Sequence, residues 1–403
     1  MGFRLSCMSE RETMMEEKVI QTLFALIRSA IKGNPMTDEE KAQFSEEMVP
    51  DLMKLAQKHD LAHLVGYGVY KNGLLEKSSP YYAKMQQAQV MAVFRYEKLN
   101  YEFERLCDAL EKAEIPFIPL KGAVIRRYYP EPWMRTSCDI DVLVRKETLE
   151  AAITYLVENL QYTEKGRWTH DVSLYSPSGI HVELHFDLVE EGRANNAIDV
   201  LSSVWEHVEL HENHIYWHEM TDAFFYFYHI AHMAKHFENG GCGIRPFIDL
   251  WILDRIKDIR AEHREELLKK CGLLQFTDVS RTLSCVWIGN EPMDELSQQM
   301  QDFILHGGVY GSSDNRVAIQ QKKRGGKFGY LMSRVFIPYV RLKRYYPILE
   351  KHRWLTPVMQ IRRWFMLLRP DVANRTKREI AINSFMDQKK VREMESFLDD
   401  IGL

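Results

Sequence analysis

From Ser137 to Val144 the chain reads Ser-Cys-Asp-Ile-Asp-Val-Leu-Val, and this alternation limits the local backbone more than any other stretch does. Carboxylates and branched apolar residues in turn predict a strand with Asp139 and Asp141 on one face and Ile140 and Val142 on the other. Two acids at that spacing repel and raise each other's pKa unless a cation lies between them, and a divalent ion answers that need. A strand whose acids merely face water would read the same way, so the flanking residues have to decide.

Upstream, Ile115 to Leu120 has the character of a short buried strand, and Lys121-Gly122 follows directly, ahead of a helical pattern over 123–129. A strand, a glycine turn and a helix start together make a place where backbone N–H groups and the helix dipole can hold phosphate. Downstream, Gly179 to Asp187 alternates again, with His181, Glu183, His185 and Asp187 on one face and Ile180, Val182, Leu184 and Phe186 on the other. Lys146 to Asn159 predicts a covering helix. Tyr162 to Lys165, Asp171 to Tyr175 and Ile180 to Phe186 predict strands, the last two joined by the turn Ser176-Pro177-Ser178-Gly179. The expected fold class is α+β: a small mixed sheet with helices on at least one side.

Lys121-Gly122 opening a helix, Arg135, the Asp139-Ile140-Asp141-Val142-Leu143-Val144 strand and Val182-Glu183-Leu184-His185 resemble the nucleotidyltransferase superfamily of DNA polymerase β type, and more narrowly the bacterial group of uncharacterised nucleotidyltransferases. The resemblance implies catalytic and metal-binding roles for Asp139, Asp141 and Glu183. It implies two Mg2+ ions, with Mn2+ as a substitute, and nucleotide contacts from Lys121, Gly122 and Arg135. The implied reaction moves a nucleoside monophosphate from a nucleoside triphosphate to a hydroxyl acceptor, releasing pyrophosphate. Glu183 would be a ligand of the second ion or the base that takes the acceptor's proton. Arg135 would reach the phosphates or pair with Asp139. The usual Gly-Gly or Gly-Ser is replaced here by Lys121-Gly122. Two other classes stay open: a nucleotide-binding regulator without turnover, and a divalent-metal phosphoesterase.

A chain of 403 residues has room for several units, expected as a helical scaffold over 1–113, the catalytic core over 114–192, a helical part completing the cleft over 193–306 and a basic, aromatic-rich helical part over 307–403. In the first of these, helices are predicted from Glu10 to Ile31, from a Thr37/Glu40 capping box through Gln57, from Asp60 to Tyr70 and from Pro80 to Ala113. No apolar run approaches the roughly 20 residues of a membrane span, and no secretory leader is visible. Met1-Gly2 through Ser6 fits an N-myristoylation pattern only formally. Six cysteines without a Cys-x-x-Cys pair argue against a zinc ribbon or disulfide framework and suit a reducing cytoplasm, with Cys138 expected to pack at the strand start.

Beyond Gly192 almost only helix is expected. Thr221 to Phe237 places His229, His232 and His236 near one helix face; His232 and His236, with His185 on its strand, are candidate substrate contacts. Arg245 and Asp249 are spaced for an i,i+4 ion pair, and His306 to Gly329 predicts a loop. Lys322 to Arg378 holds 16 Lys/Arg against two acids, which leaves an acidic remainder. Basic residues interleaved with aromatics over 330–368 suit peripheral contact with an anionic membrane, nucleic acid being disfavoured, or docking on the acidic body. A last helix is expected from Lys377 to Leu398.

Overall fold

The computed structural model describes residues 10–189, 197–256, 261–367 and 379–403. The N-myristoylation pattern, the expected boundary at 192–193 and the start of the last expected helix lie outside them. Val19, Leu23, Leu26, Ile27 and Ala30 recur at helical spacing, and α1 (Glu10–Lys32) buries that stripe. Thr37 and Glu40 form the expected reciprocal cap at the start of α2 (Asp38–Gln43). The expected single helix through Gln57 is instead broken at Phe44, and α3 (Val49–Lys58) begins anew with Pro50 in its first turn. Proline has no N–H to give to a helix interior, so it starts a helix here rather than continuing one. The helices α4 (Ala62–Lys71) and α5 (Tyr82–Lys112) then lead to the sheet.

The fold is α+β, with a mixed five-stranded sheet of order β1-β2-β5-β4-β3. Its members are β1 (Phe117–Pro119), β2 (Asp139–Val144), β3 (Thr163–Arg167), β4 (Asp171–Tyr175) and β5 (His181–His185). A short helix, α6 (Lys121–Ile125), follows β1, and α7 (Leu149–Leu160) follows β2. The β4–β5 turn closes on Gly179 at φ +79°, a conformation that favours glycine. One face of the sheet is apolar: Ile140, Val142, Val144, Val172, Leu174, Val182 and Leu184 pack with Leu106 and Leu110 of α5 and Ile153 and Leu156 of α7. That sandwich leaves the opposite face, with its acids and histidines, turned toward the second half of the chain.

The second half contains α8 (Ile198–Ser202), α9 (Asp222–Phe237), α10 (Arg245–Leu253), α11 (Ala261–Lys270), α12 (Leu274–Ser284) and α13 (Glu295–His306). It also contains a small antiparallel pair that the expectation of helix alone missed, β6 (Val208–Leu210) with β7 (His218–Met220). The expected loop from His306 to Gly329 is mostly helical: α14 (Ser313–Lys323) is capped by the Ser312 hydroxyl and buries Val317, Ala318 and Ile319. After it come α15 (Gly326–Val335), α16 (Tyr339–Tyr345), α17 (Ile348–Lys351), α18 (Thr356–Leu367) and α19 (Gln388–Asp400). The last expected helix is interrupted before Asp387, whose carboxylate caps α19 through the Lys389 N–H. The larger core joins residues from Val19 on α1 to Ile401 at the far end, so helices from both ends of the chain share it. Among the described residues, no helix is long and apolar enough to cross a membrane.

Candidate active site

Two parallel neighbours build the centre of the site. In the β2–β5 register Asp139 stands beside His181 and Asp141 beside Glu183, so the alternating side chains of both strands emerge on one face. On the far side of β5, Asp171 and Ser173 of β4 pair with His185 and Glu183 and join that face. His185 Nε2 lies 3.5 Å from both Asp141 Oδ1 and Glu183 Oε2. His181 lies 4.0 Å from Glu183 through Nδ1 and shares a 2.7 Å hydrogen bond with Ser173 through Nε2. Among the described residues, potential ligand atoms therefore fall into two groups, Asp139/His181/Glu183 and Asp141/Glu183/His185, each with its atoms within 4.8 Å of one another. Glu183 belongs to both.

Crowding of acids sets the electrostatics. Burial, with the charges of Asp141 and Glu183, pushes the Asp139 carboxyl up to about 6. Burial also presses Asp141 upward, but the hydrogen bond and charge of His185, with Lys121 and Arg135, hold it below its ordinary value. Burial would strip His185 of its proton; the two carboxylates reverse that and raise it to about 9. Buried Asp171 is driven up to about 6 by desolvation. Thus a protonated imidazole stands between two acids, supplying positive charge where their repulsion is strongest.

A cleft of about 530 Å³ opens over this face, lined across from the acids by Tyr228, His232, Lys235 and His236 of α9. The volume is within the range of small-ligand sites. Lys121, the first residue of α6, holds its ammonium 5.2 Å from the Tyr228 ring centre, and burial lowers it to about 7. The His232 and His236 Nε2 atoms are 3.2 Å apart, and burial keeps His232 well below its ordinary value. His229, one turn earlier, turns to the Pro246 carbonyl at 2.9 Å and ties α9 to α10. Cys138, expected to pack, is exposed and lines the cleft instead, because β2 begins only at Asp139 and the chain before it forms the rim.

The Lys121-Gly122 turn is braced from below. Arg126 donates from Nε to the Gly122 carbonyl at 2.8 Å and from Nη2 to the Ser137 hydroxyl at 2.6 Å. Arg135 pairs with Asp249 rather than with Asp139: Nη2 and Nε meet the carboxylate at 2.9 and 3.3 Å, and the Tyr129 hydroxyl donates to it at 2.6 Å. The expected Arg245–Asp249 pair is accordingly absent. Arg245 crosses instead to the Thr136 carbonyl at 2.8 Å and to Asp60 at 3.3 Å. Asp249 is wholly buried, and a buried carboxylate needs a partner that reaches it inside the protein; buried Arg135 supplies it, while half-buried Arg245 is taken up by Thr136 and Asp60.

Sequence reasoning did not single out His59, Asp60 or Asp171, all of which bear on this site. Asp171 opens its strand on the acidic side, a signal visible in the alternation Asp-Val-Ser-Leu. His59 and Asp60 follow α3 and reach the cleft only through tertiary packing, with no local pattern to announce them. The oxygen donors Asp139, Asp141 and Glu183 suit a hard divalent cation, and the burial and mutual repulsion that lift Asp139 are what such an ion offsets. The donor set therefore fits a divalent metal ion.

A glycine turn, a carboxylate-bearing parallel pair and a roof of Tyr228, Lys235 and two histidines make up the cleft, and the chain belongs to the family described as uncharacterised nucleotidyltransferase, whose sequence profile matches residues 45–289. That span includes every strand and every acid of the cleft described above and ends before α13. No curated protein and no solved structure matches the chain.

Proposed function

We propose that this cleft moves a nucleoside monophosphate from a nucleoside triphosphate to a hydroxyl acceptor and releases pyrophosphate. The in-phase β2–β5 register carries the reading, because it sets Asp141 against Glu183 with Asp139 one step away on the same face. Asp139, Asp141 and Glu183 would hold the divalent ions, Mg2+ or Mn2+, whose bound charge would offset that building up on the α-phosphate and on the departing pyrophosphate. Lys121, half-buried beside Tyr228, offers its ammonium to the β and γ phosphates, and binding them favours its charged form. Gly122 admits the triphosphate close to the backbone, and Arg126 fixes the turn through the Gly122 carbonyl with the Arg135 guanidinium packed beside it. Glu183, more exposed than Asp141 and shared by both ligand groups, is assigned to accept the acceptor's proton, with His185 orienting it. His232 and His236 line the opposite wall and contact substrate.

The test uses α-labelled nucleoside triphosphates with a metabolite and protein extract. The reading expects label to enter an acceptor, in step with pyrophosphate, and Asp141→Asn to abolish both. Release of inorganic phosphate from phosphate esters, without label transfer, would favour a phosphoesterase. Triphosphate binding with no product of either kind would favour a regulator.

A further inference from the structure

The region after α15 has a small core of its own, Leu342, Tyr346 and Leu349, with Leu355 and Met359 packed against it. Gln360 and Trp364 of α18 donate to the Ile337 and Val335 carbonyls, which fixes the inward side of that helix. Its outward side is the unusual one. Trp354, Val358, Ile361 and Phe365 follow one another at intervals of four, three and four residues, the spacing of a single helical stripe. They are 74%, 52%, 48% and 69% exposed. Large apolar side chains lined up and left in water mark a contact surface.

Charge identifies what the stripe meets. Residues 336–367 hold seven Lys/Arg and one acid, Glu350. Lys351, Arg353 and Arg362 are exposed beside the stripe and pair with no carboxylate among the described residues. Arg353 and Arg362 rest against the rings of Tyr339 and Tyr346, at 4.7 and 5.5 Å, with their guanidiniums still exposed. Docking on the acidic body does not use them; Lys323, further back, reaches Glu238. We propose that α18 and the turn before it form a docking face for an anionic lipid surface, with the Trp354–Phe365 stripe in the headgroup layer and Lys351, Arg353 and Arg362 on lipid phosphates. A 12-residue helix is about 18 Å long, too short to span a bilayer and suited to lying in its plane. Tryptophan and phenylalanine settle at that depth, and neighbouring cations add electrostatic attraction. This surface lies outside residues 45–289 and stands independently of the reaction proposed above.

Vesicle co-sedimentation of the full chain tests it, with phosphatidylcholine alone against equal parts phosphatidylcholine and phosphatidylglycerol. Binding is expected to the anionic vesicles only and to weaken as salt is raised. Trp354→Ser with Phe365→Ser is expected to weaken it at least about tenfold. Arg353→Gln with Arg362→Gln is expected to weaken it roughly tenfold. All four side chains are exposed, and circular dichroism checks that the fold is kept. No binding to anionic vesicles at low salt overturns the proposal, as does equal binding to neutral ones or undiminished binding by either double variant. So does a dimer in sedimentation equilibrium that Phe365→Ser dissolves while vesicles go unbound, since the stripe would then cover a second copy of the chain.

Discussion

Asp249→Asn makes a sharp test of how the walls of the cleft are joined. Asp249 is 1% exposed, and its carboxylate receives two hydrogen bonds from the Arg135 guanidinium and one from the Tyr129 hydroxyl. Burial alone would drive that carboxyl upward, yet the arginine holds it below its ordinary value. The substitution leaves a buried guanidinium without an anion, which costs about 3–5 kcal/mol. Arg135→Met strands the carboxylate in turn and should cost a similar amount. Combining the two substitutions removes both charges together, so the double variant should lose far less than the sum, with a coupling of about 3 kcal/mol. Equilibrium urea unfolding of the four proteins measures each quantity. If each single variant loses under about 1 kcal/mol, or the double loses the full sum, the pair does not join the two walls as argued.

Two further perturbations probe neighbouring features. A Cβ at Gly122 would stand 3.2 Å from Arg135 Nη1 and 3.4 Å from the Ser137 hydroxyl, and both neighbours are held by other bonds. Gly122→Ala should therefore cost about 1–3 kcal/mol in stability and weaken triphosphate binding, read by urea unfolding and by thermal shift with nucleotide; unchanged values in both would refute this. His59 is buried, neither ring nitrogen meets a well-formed hydrogen-bond partner among the described residues, and burial with the nearby Lys58 charge outweighs the Leu305 backbone beside it and lowers it from 6.5 to about 4. Below pH about 6.5 the unfolded chain takes up a proton that the folded protein refuses, so stability falls as pH drops toward about 4, by up to about 3 kcal/mol. That contribution is fully present above pH about 6.5. His59→Phe should flatten this part of the stability–pH curve, and an unchanged slope would refute the assignment.

Much of the sheet was readable because alternation leaves a trace in sequence. An acid at every second position among branched apolar residues fits a strand with one buried face, and β2, β4 and β5 fall where that pattern lies. The parallel partnership of β2 and β5 was not readable, since register is set by packing across the sheet and not by either strand. Each member of the β6–β7 pair has three residues, too few to display a period. The stretch ahead of α14 hid a helix because glycine, serine and lysine surround a short buried run at Val317-Ala318-Ile319. Arg245 and Asp249 had the right spacing for each other, but burial gave each a partner more than 100 residues away in sequence. Local spacing predicts exposed pairs; buried ones answer to the whole fold.

Manganese binding, followed by the ion's paramagnetic resonance signal, addresses the acidic face with no need of an acceptor. The parent protein is expected to bind Mn2+, and Asp141→Asn and Glu183→Gln are each expected to weaken that binding at least about tenfold while unfolding in urea as cooperatively as the parent does. Mn2+ held equally well by both variants would place the ion elsewhere and remove the ground for a metal-assisted nucleotidyl transfer at these strands.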